Sequence, residues 1–398
     1  MLLKRRRFLQ MGTLASAAVL MPRFLKAFEG GNPLPLQERT LVILQLTGGN
    51  DGLNTVVPVT NDLYYAARPH IGLRKGDTLS LTPDAGLHPA LPFFKDLHDN
   101  GHLAILNNVG YPEPDKSHFR SMDIWQSASG SREYLQTGWV GRYLDAVCHN
   151  CDRPLQALEL DTTLSLAMKG SHNKAFAFKD PKRLYRTSQD PFLQQVAKAH
   201  VHTDETADYL YQTLGTTLSN ARYIFEESKA QNTRQTYPAT ALGHDLKQVA
   251  ALICSDINTR VYYLSIGSFD THNAQLARQK ALFTQLNDAV AAFVADLKAN
   301  NRFDDVLLMT FSEFGRRVAQ NASAGTDHGT ANQMFFISGA LAQQGLLNPL
   351  SDLRNLADGD LQFTEDFRDV YATVLRKWLR ADDARILGGQ RRVYDFIG

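Results

Sequence analysis

The feature that most restricts the fold is a set of short, almost uninterrupted apolar runs. The first is Leu41–Leu46 (LVILQL), and four more follow at 103–106, 261–266, 306–311 and 334–337. Apolar runs of this length are typical of strands that are buried on both faces, as in parallel sheets covered by helices. The runs therefore predict the strands of an internal sheet.

Helical patterns fill the segments between these runs. They predict helices over 118–128, 138–147, 192–230, 241–257, 274–300 and 366–380. Short buried strands that alternate with helices indicate an α/β fold with a mostly parallel sheet. We interpret residues 38–398 as a single domain, in which 192–257 is a helical insertion because it lacks strand signals.

The first residues of the chain have the layout of an export signal. Residues 1–27 contain basic side chains and no acid, and the apolar or small stretch Met11–Met21 follows the basic start. Arg5–Gln10 (RRRFLQ) resembles the twin-arginine consensus R-R-x-F-L-K. We interpret 1–27 as a twin-arginine-type signal segment, which implies the twin-arginine export machinery as a partner and a periplasmic or otherwise exported location. The alternative is a basic tail ahead of a first helix.

Composition excludes several classes of protein. Lys and Arg number 42 against 41 Asp and Glu, which argues against bulk binding of nucleic acid. No apolar run reaches the roughly 18 residues that span a bilayer, so we expect no transmembrane helix in the mature protein. Three cysteines cannot form a disulfide scaffold, and the isolated Cys148-x-x-Cys151 pair favours a structural role such as a local disulfide after export.

Three of the predicted strands are followed by a loop that carries an acid, and a later loop adds an Asp-His pair. The carboxyl ends of parallel strands meet at one edge of a sheet, where ligands bind in open α/β folds. Carboxylates and imidazoles that converge there suit Zn²⁺ or another borderline divalent ion. The candidate metal ligands are Asp51, Asp270, His272, Glu313 and His328.

Each of these residues also has a structural interpretation. Asn50 and Asp51 lie in Gly-Asn-Asp-Gly, which is an ordinary turn sequence. Asp270 could cap the helix over 274–300, and Glu313 could be a paired surface acid. The metal interpretation therefore depends on all of the candidates meeting at one sheet edge.

A second candidate group opens the helix over 118–128. Ser117 or Asp115 could be its N-cap. Ser117 could also be a nucleophile activated by a nearby metal, because a helix N-terminus favours an anionic group. His118 and Arg120 could orient that anion, since a guanidinium suits bidentate contacts with phosphate or sulfate. We therefore predict Ser117, His118 and Arg120 as the catalytic group.

Several long strings, in the same order, resemble a known family. They are LVILQLTGGNDGLNTVVP, SHFRSMDIWQ, FDTHNAQ, FSEFGRRVAQN and GTDHGTAN. They are similar to exported bacterial proteins that carry the domain of unknown function numbered 1501, from about residue 39 to the end of the chain. This family is grouped with the alkaline phosphatase and sulfatase superfamily. The resemblance implies a three-layer α/β/α sandwich around a mostly parallel sheet, with metal-assisted attack on a phosphate or sulfate ester.

The resemblance also implies roles for single residues. Asp51 resembles the first metal ligand of the superfamily, and Ser117 stands where its nucleophile is expected. Asp270 and His272 resemble the pair that holds the other metal, and His328 resembles the late histidine that closes the site.

One position departs from the superfamily pattern. Glu313-Phe314 stands where Asp-His is often found, and phenylalanine cannot ligate a metal. This metal position is lost, weakened or completed by another group such as His118 or Asn50, so one or two metal sites are expected. The chain has no C-x-P-x-R string, which leaves formylglycine chemistry without support.

These observations favour one functional hypothesis over two alternatives. The leading hypothesis is an exported, metal-dependent hydrolase of a small-molecule or polysaccharide ester, with a serine nucleophile and Zn²⁺ or another borderline divalent ion. The first alternative is a metal-binding but non-catalytic envelope protein on the same fold. The second is a transferase that moves a phospho- or sulfo-group to an alcohol.

Overall fold

The fold is built on one central β-sheet. We describe it from a computed structural model, which covers residues 39–147, 156–172, 175–198, 205–230, 233–255, 257 and 259–398. The signal segment 1–27 and the Cys148 and Cys151 pair lie outside the described residues, and both interpretations stay predictions.

Nine strands form this sheet within the described residues. In chain order they are β1 (Thr40–Leu46), β2 (Leu103–Gly110), β3 (Ala157–Glu159), β4 (Phe176–Ala177), β5 (Val261–Ile266), β6 (Val306–Phe311), β7 (Asn332–Ile337), β8 (Gly345–Leu346) and β9 (Glu365–Asp366). The order across the sheet is β8-β2-β7-β6-β1-β5-β3-β4, and β9 pairs with β2. Among these pairings, β7 alone is antiparallel to its neighbours, so the sheet is mostly parallel, as predicted.

The described part of the chain also contains eleven α-helices. They are α1 (Asp62–Ala67), α2 (Pro92–Asp99), α3 (His118–Ser127), α4 (Trp139–Val147), α5 (Pro181–Ser188), α6 (Pro191–Lys198), α7 (Glu205–Ala230), α8 (Ala241–Cys254), α9 (Gln275–Ala299), α10 (Phe367–Thr373) and α11 (Asp383–Leu387). None of them is both long and apolar enough to cross a lipid bilayer. Two small antiparallel sheets complete the fold, formed by Val56–Pro58, Leu79–Ser80 and Ala85–Leu87, and by Leu356–Ala357 and Asp360–Leu361.

The alternating side chains of β1 explain why the fold has three layers. Val42 and Leu44 lie in one hydrophobic cluster, which α8 and α9 help to form. Leu41 and Ile43 lie in a second cluster, on the other face of the sheet, with side chains from α3 and α10. Because helices cover both faces, the fold is the expected three-layer α/β/α sandwich.

The carboxyl ends of three adjacent strands lie level at one edge of the sheet. β1 pairs in parallel with β5 on one side and with β6 on the other. Leu46 lies opposite Ile266, and Gln45 lies opposite Phe311. The loops that follow these strands therefore leave the sheet together, at the edge where ligands bind in open α/β sheets.

The described residues between β4 and β5 form α5, α6, α7 and α8, with loops between some of them. Within the helix predicted over 192–230, the structure describes α6 and α7, and the assignment of 192–257 as an insertion stays a prediction. The short strands β3 and β4 escape prediction from sequence, because two or three residues carry no recognisable period. Pairing of β3 with β5, and of β4 with β3, makes them strands.

The buried acid at the end of β3 gives a testable pH dependence. Burial raises the pKa of the Glu159 carboxyl to about 7, although a hydrogen bond from the Ser165 amide opposes this shift. The folded chain therefore keeps a proton that the unfolded chain releases near its ordinary pKa of 4.5, and stability falls as the pH rises from there to about 7. We expect Glu159→Gln to match the wild type at pH 4 and to exceed its free energy of unfolding at pH 8 by about 1–3 kcal/mol.

Urea unfolding at both pH values measures this difference. Glu113→Gln is the control, because Glu113 lies in an exposed pair with Arg132, where a change within about 0.5 kcal/mol is expected. If Glu159→Gln and the wild type differed in free energy of unfolding by the same amount at pH 4 and pH 8, the raised pKa of Glu159 would be contradicted.

Candidate metal centre

Three histidines and one aspartate meet beyond the ends of the central strands. Asp270 Oδ1 lies 3.0 Å from His272 Nε2 and 3.2 Å from His328 Nε2. Asp270 Oδ2 lies 3.7 Å from His118 Nε2. His118, Asp270 and His328 offer ligand atoms that all lie within 4.8 Å of one another, so this group could hold a metal ion.

The members come from separate parts of the chain. Asp270 and His272 follow β5, and His118 is the first residue of α3. His328 lies in the connection between β6 and β7, where an antiparallel bridge to Arg316 fixes the backbone. The fold thus brings together Asp270, His272 and His328, which the sequence predicts as metal ligands. It adds His118, which the sequence predicts as a catalytic residue.

Each imidazole is oriented by a hydrogen-bond acceptor at Nδ1. The pairs are His118 with Glu313 Oε1 at 2.9 Å, His272 with Asp327 Oδ1 at 3.0 Å and His328 with the Lys116 carbonyl at 2.8 Å. An acceptor at Nδ1 places the ring proton there and leaves a lone pair on Nε2, which is the usual arrangement of a metal-ligating histidine. The three lone pairs therefore face the Asp270 carboxylate.

This arrangement favours a cation among the four side chains. The Nε2 atoms of His272 and His328 lie 3.0 Å apart, and neither can donate to the other when both Nδ1 atoms carry the proton. The imidazole nitrogens of His118 and His328 and a carboxylate oxygen of Asp270 form a donor set that Zn²⁺ and other borderline divalent ions prefer. The residues present fit the divalent metal expected from the sequence.

Glu313 lies behind the imidazole of His118. It is fully buried, and its Oε1 accepts hydrogen bonds from the Gly48 amide at 2.8 Å and from His118. Its Oε2 has no hydrogen-bond partner among the described residues. Glu313 therefore contacts the cluster through His118 Nδ1 rather than through Nε2, and its assignment as a direct metal ligand stays a prediction.

Phe314 forms an aromatic wall against the cluster. Its ring centroid lies 4.8 Å from that of His118 and 4.7 Å from that of His328. The sequence offers His118 and Asn50 as groups that could replace the ligand missing at Phe314. His118 contacts Asp270. Asn50 donates to Thr55 Oγ1 at 2.9 Å instead.

Arg316 ties the strand-end loops together, although nothing in the sequence singled it out. Its buried guanidinium donates to the carbonyls of Gly49 at 2.7 Å and Thr326 at 2.9 Å, and to Asp270 Oδ1 at 2.6 Å. Burial would raise the pKa of Asp270, but the hydrogen bond and charge of Arg316 outweigh it and lower that pKa. Asp270 is therefore kept ionised, as a metal ligand must be.

The histidines differ in their protonation equilibria. The hydrogen bond to Glu313 raises the pKa of His118, whereas burial lowers the pKa of His328 against the opposing effect of the Lys116 carbonyl. Low basicity suits His328 to ligation, since only the neutral imidazole offers a lone pair.

The structure places Asp51 outside this cluster. Its Oδ2 lies 2.6 Å from Arg68 Nη1 and accepts a further hydrogen bond from the Gln275 amide, and its Oδ1 accepts from the Leu53 amide at 3.1 Å. The side chains of Asp51 and Arg68 are both 0% exposed. Protein donors bind both oxygens of Asp51 and Arg68 balances its charge, so Asp51 forms a buried ion pair here, and its assignment as a metal ligand stays a prediction.

In the sequence, Ser117 lies between two residues that contribute to the cluster. Lys116 accepts a hydrogen bond from His328 through its carbonyl, and His118 belongs to the cluster itself. Ser117 is exposed and is the N-cap residue of α3, but its side chain makes no capping bond. Its hydroxyl is therefore not committed to the helix end.

Arg120 is engaged away from the histidines. Its Nη2 donates to the carbonyls of Ser131 at 2.9 Å and Gly130 at 3.2 Å, and its guanidinium carbon lies 3.8 Å from the Tyr134 ring centroid. Arg120 therefore links the loop 130–134 to α3, and its catalytic role stays a prediction.

The ion pair of Arg68 and Asp51 gives a second testable prediction. Removing one member of a buried pair leaves the other charge uncompensated, so we expect Arg68→Met to lower the free energy of unfolding by about 3–5 kcal/mol. Adding Asp51→Asn should restore part of this loss. The exposed Arg354 provides the control, since Arg354→Met should change stability by less than about 0.5 kcal/mol. Urea unfolding measures the stability of the three variants. If Arg68→Met lowered the free energy of unfolding by less than about 1 kcal/mol, the prediction would be contradicted.

Comparisons with known proteins complete the description of the site. A search of the curated proteins finds no significant match. Similar solved structures include the phosphonate monoester hydrolase SpPMH from Silicibacter pomeroyi, with 8% identity over 89% of this chain and 76% of that chain and a TM-score of 0.42. They also include the PsFucS1 sulfatase from Pseudoalteromonas sp. (12% identity, 94% and 71% covered, TM-score 0.37) and a protein in the alkaline phosphatase superfamily from Vibrio parahaemolyticus (10%, 88% and 66%, TM-score 0.37).

A family profile matches the part of the chain that carries the histidine cluster. Its description is "Protein of unknown function (DUF1501)", and it matches residues 101–379. This span covers more than half of the chain and includes His118, Asp270, His272 and His328. The chain belongs to the DUF1501 family.

Proposed function

We propose that this protein is an exported enzyme that cleaves phosphate or sulfate esters with Ser117 as its nucleophile and one divalent metal ion as its cofactor. The observation that carries the proposal is the convergence of three Nε2 atoms on Asp270, with every Nδ1 held by an acceptor. The twin-arginine-like string Arg5–Gln10 supports export.

The charge balance supports a single metal site. His118, Asp270 and His328 would hold the ion, and His272 lies at hydrogen-bond distance from the last two. Asp51, which the resemblance assigns to another metal, is already neutralised by Arg68. Zn²⁺ or another borderline divalent ion fits the mixed nitrogen and oxygen donors.

The protein groups prepare the site in three ways. Arg316 keeps the Asp270 carboxylate ionised, and the Nδ1 acceptors fix the orientation of each imidazole. The N-terminus of α3 favours an anionic group beside Ser117. When bound, the metal supplies Lewis-acid polarisation of an ester oxygen and lowers the pKa of a nearby hydroxyl.

Ser117 is the proposed nucleophile. In the proposed reaction its Oγ loses its proton and forms a bond to the phosphorus or sulfur atom, while the bond to the ester oxygen breaks and that oxygen takes up a proton and leaves as the alcohol. Water then hydrolyses the new ester, which restores the serine hydroxyl and releases phosphate or sulfate. An alcohol in place of that water would yield a transferred phospho- or sulfo-group.

Metal content provides the first test of the proposal. We expect about one divalent ion per chain in the purified protein, and substitution of the ligands in Asp270→Asn or His328→Ala should weaken binding by more than the roughly 10–100-fold typical of supporting residues. Asp51→Asn/Arg68→Met is the matched control, because it removes a carboxylate at a neighbouring strand end without leaving a buried charge unpaired. Elemental analysis and metal titration measure the effect. Retention of the ion by Asp270→Asn together with its loss from Asp51→Asn/Arg68→Met would reverse the assignment.

Turnover of aryl phosphates and aryl sulfates provides the second test. Ser117→Ala should lower kcat by about a thousandfold or more while metal content stays unchanged, because a nucleophile is lost and the ligands are kept. Ser80→Ala is the control, since Ser80 is an exposed serine in a small sheet away from the centre. Full activity of Ser117→Ala would exclude it as nucleophile. Bound metal without turnover of any ester would favour a non-catalytic metal-binding protein.

A further inference from the structure

Two cationic side chains beside the metal centre share one buried carboxylate. Lys116 Nζ forms an ion pair with Asp360 Oδ2, and Arg317 Nε lies 3.5 Å from Asp360 Oδ1. The Asp360 side chain is 1% exposed, whereas those of Lys116 and Arg317 are 41% and 40% exposed. Asp360 can balance only one of the two cations, and the Asp327 carboxylate, which also interacts with Arg317, is shared with His272 and Asn321.

Backbone hydrogen bonds fasten both cationic residues to the metal centre. The Lys116 carbonyl accepts from His328 Nδ1 at 2.8 Å. The Arg317 amide donates to the Asp327 carbonyl at 3.0 Å, and the Asp327 carboxylate in turn accepts from His272 Nδ1. The two cations therefore lie next to the residues that orient two of the three imidazoles.

The buried acid positions these cations without using all of their hydrogen-bonding capacity. Asp360 Oδ1 has no hydrogen-bond partner among the described residues, although Arg317 lies near it. An ammonium has three donors and a guanidinium has five, and Arg317 Nη2 donates to the Asp358 carbonyl. Donors that are held in place and still accessible bind an anion at a lower entropic cost than freely mobile side chains do.

We infer that Lys116 and Arg317 form an anion subsite for a second negative group on the substrate. This inference deepens the proposed function and rests on it. The ester group that reacts would lie at the metal centre, and a further phosphate, sulfate or carboxylate of the same molecule would contact the two cations. The substrate class is then an ester with more than one anionic group, such as a multiply phosphorylated or sulfated sugar.

Calorimetric titration of the metal-loaded full chain tests the subsite without requiring turnover. The probes are benzenesulfonate, with one anionic group, and 1,3-benzenedisulfonate and 1,4-benzenedisulfonate, with two at different spacings. We expect the wild type to bind at least one disulfonate about tenfold or more tightly than the monosulfonate. Lys116→Met/Arg317→Met, made with Asp360→Asn so that no buried carboxylate is left unpaired, should reduce this ratio below about threefold and leave monosulfonate affinity nearly unchanged.

Two further variants separate charge from structure. Lys116→Arg keeps the charge and the pairing with Asp360, so it should keep the disulfonate preference. Lys95→Met removes a lysine from an exposed pair with Asp99 on α2, and it should bind all three probes as the wild type does.

The outcomes distinguish this inference from the proposed function. Absence of a disulfonate preference in the wild type, or its survival in Lys116→Met/Arg317→Met/Asp360→Asn, would overturn the subsite even if the enzyme cleaves esters. A preference that depends on both cations, in a protein that cleaves no ester, would support the anion subsite and overturn the hydrolase proposal.

Discussion

The buried guanidinium of Arg316 is the interaction on which the site depends. Three parallel strands end level, and the loops beyond them bring backbone carbonyls and the Asp270 carboxylate close together. These groups are all hydrogen-bond acceptors, so they would repel one another without a donor among them. Arg316 donates to Gly49, Thr326 and Asp270 at once, and thereby joins the loop after β1, the loop after β5 and the connection that carries His328.

A second buried arginine explains why similar acids at neighbouring strand ends differ in their surroundings. Arg68 and Asp51 are both removed from solvent, and their charges cancel inside the protein. Asp270 is nearly half exposed, and it shares one oxygen between Arg316 and two imidazoles. Residue type and position after a strand therefore do not determine the contacts of a carboxylate. The side chains that pack against each acid in the folded chain determine them.

Much of the fold can be predicted because a strand that is buried on both faces has an almost continuous run of apolar residues in the sequence. The runs at β1, β5 and β6 are almost entirely apolar, and the parallel pairing of β5 with β1 brings Asp270 and His272 to the edge where β1 and β6 also end. The ion pair of Asp51 cannot be predicted in this way, because Arg68 lies 17 positions further along the chain and reaches it from beyond the end of α1. Contacts of this kind are set by tertiary packing, which leaves no period in the sequence.

The tripeptide Lys116–His118 has a consequence for how the site can move. Its three consecutive residues supply a carbonyl that orients His328, an exposed hydroxyl, and an imidazole of the cluster. Because the three residues are consecutive at the N-terminus of α3, a rigid-body shift of this helix would displace the backbone that carries all three groups together.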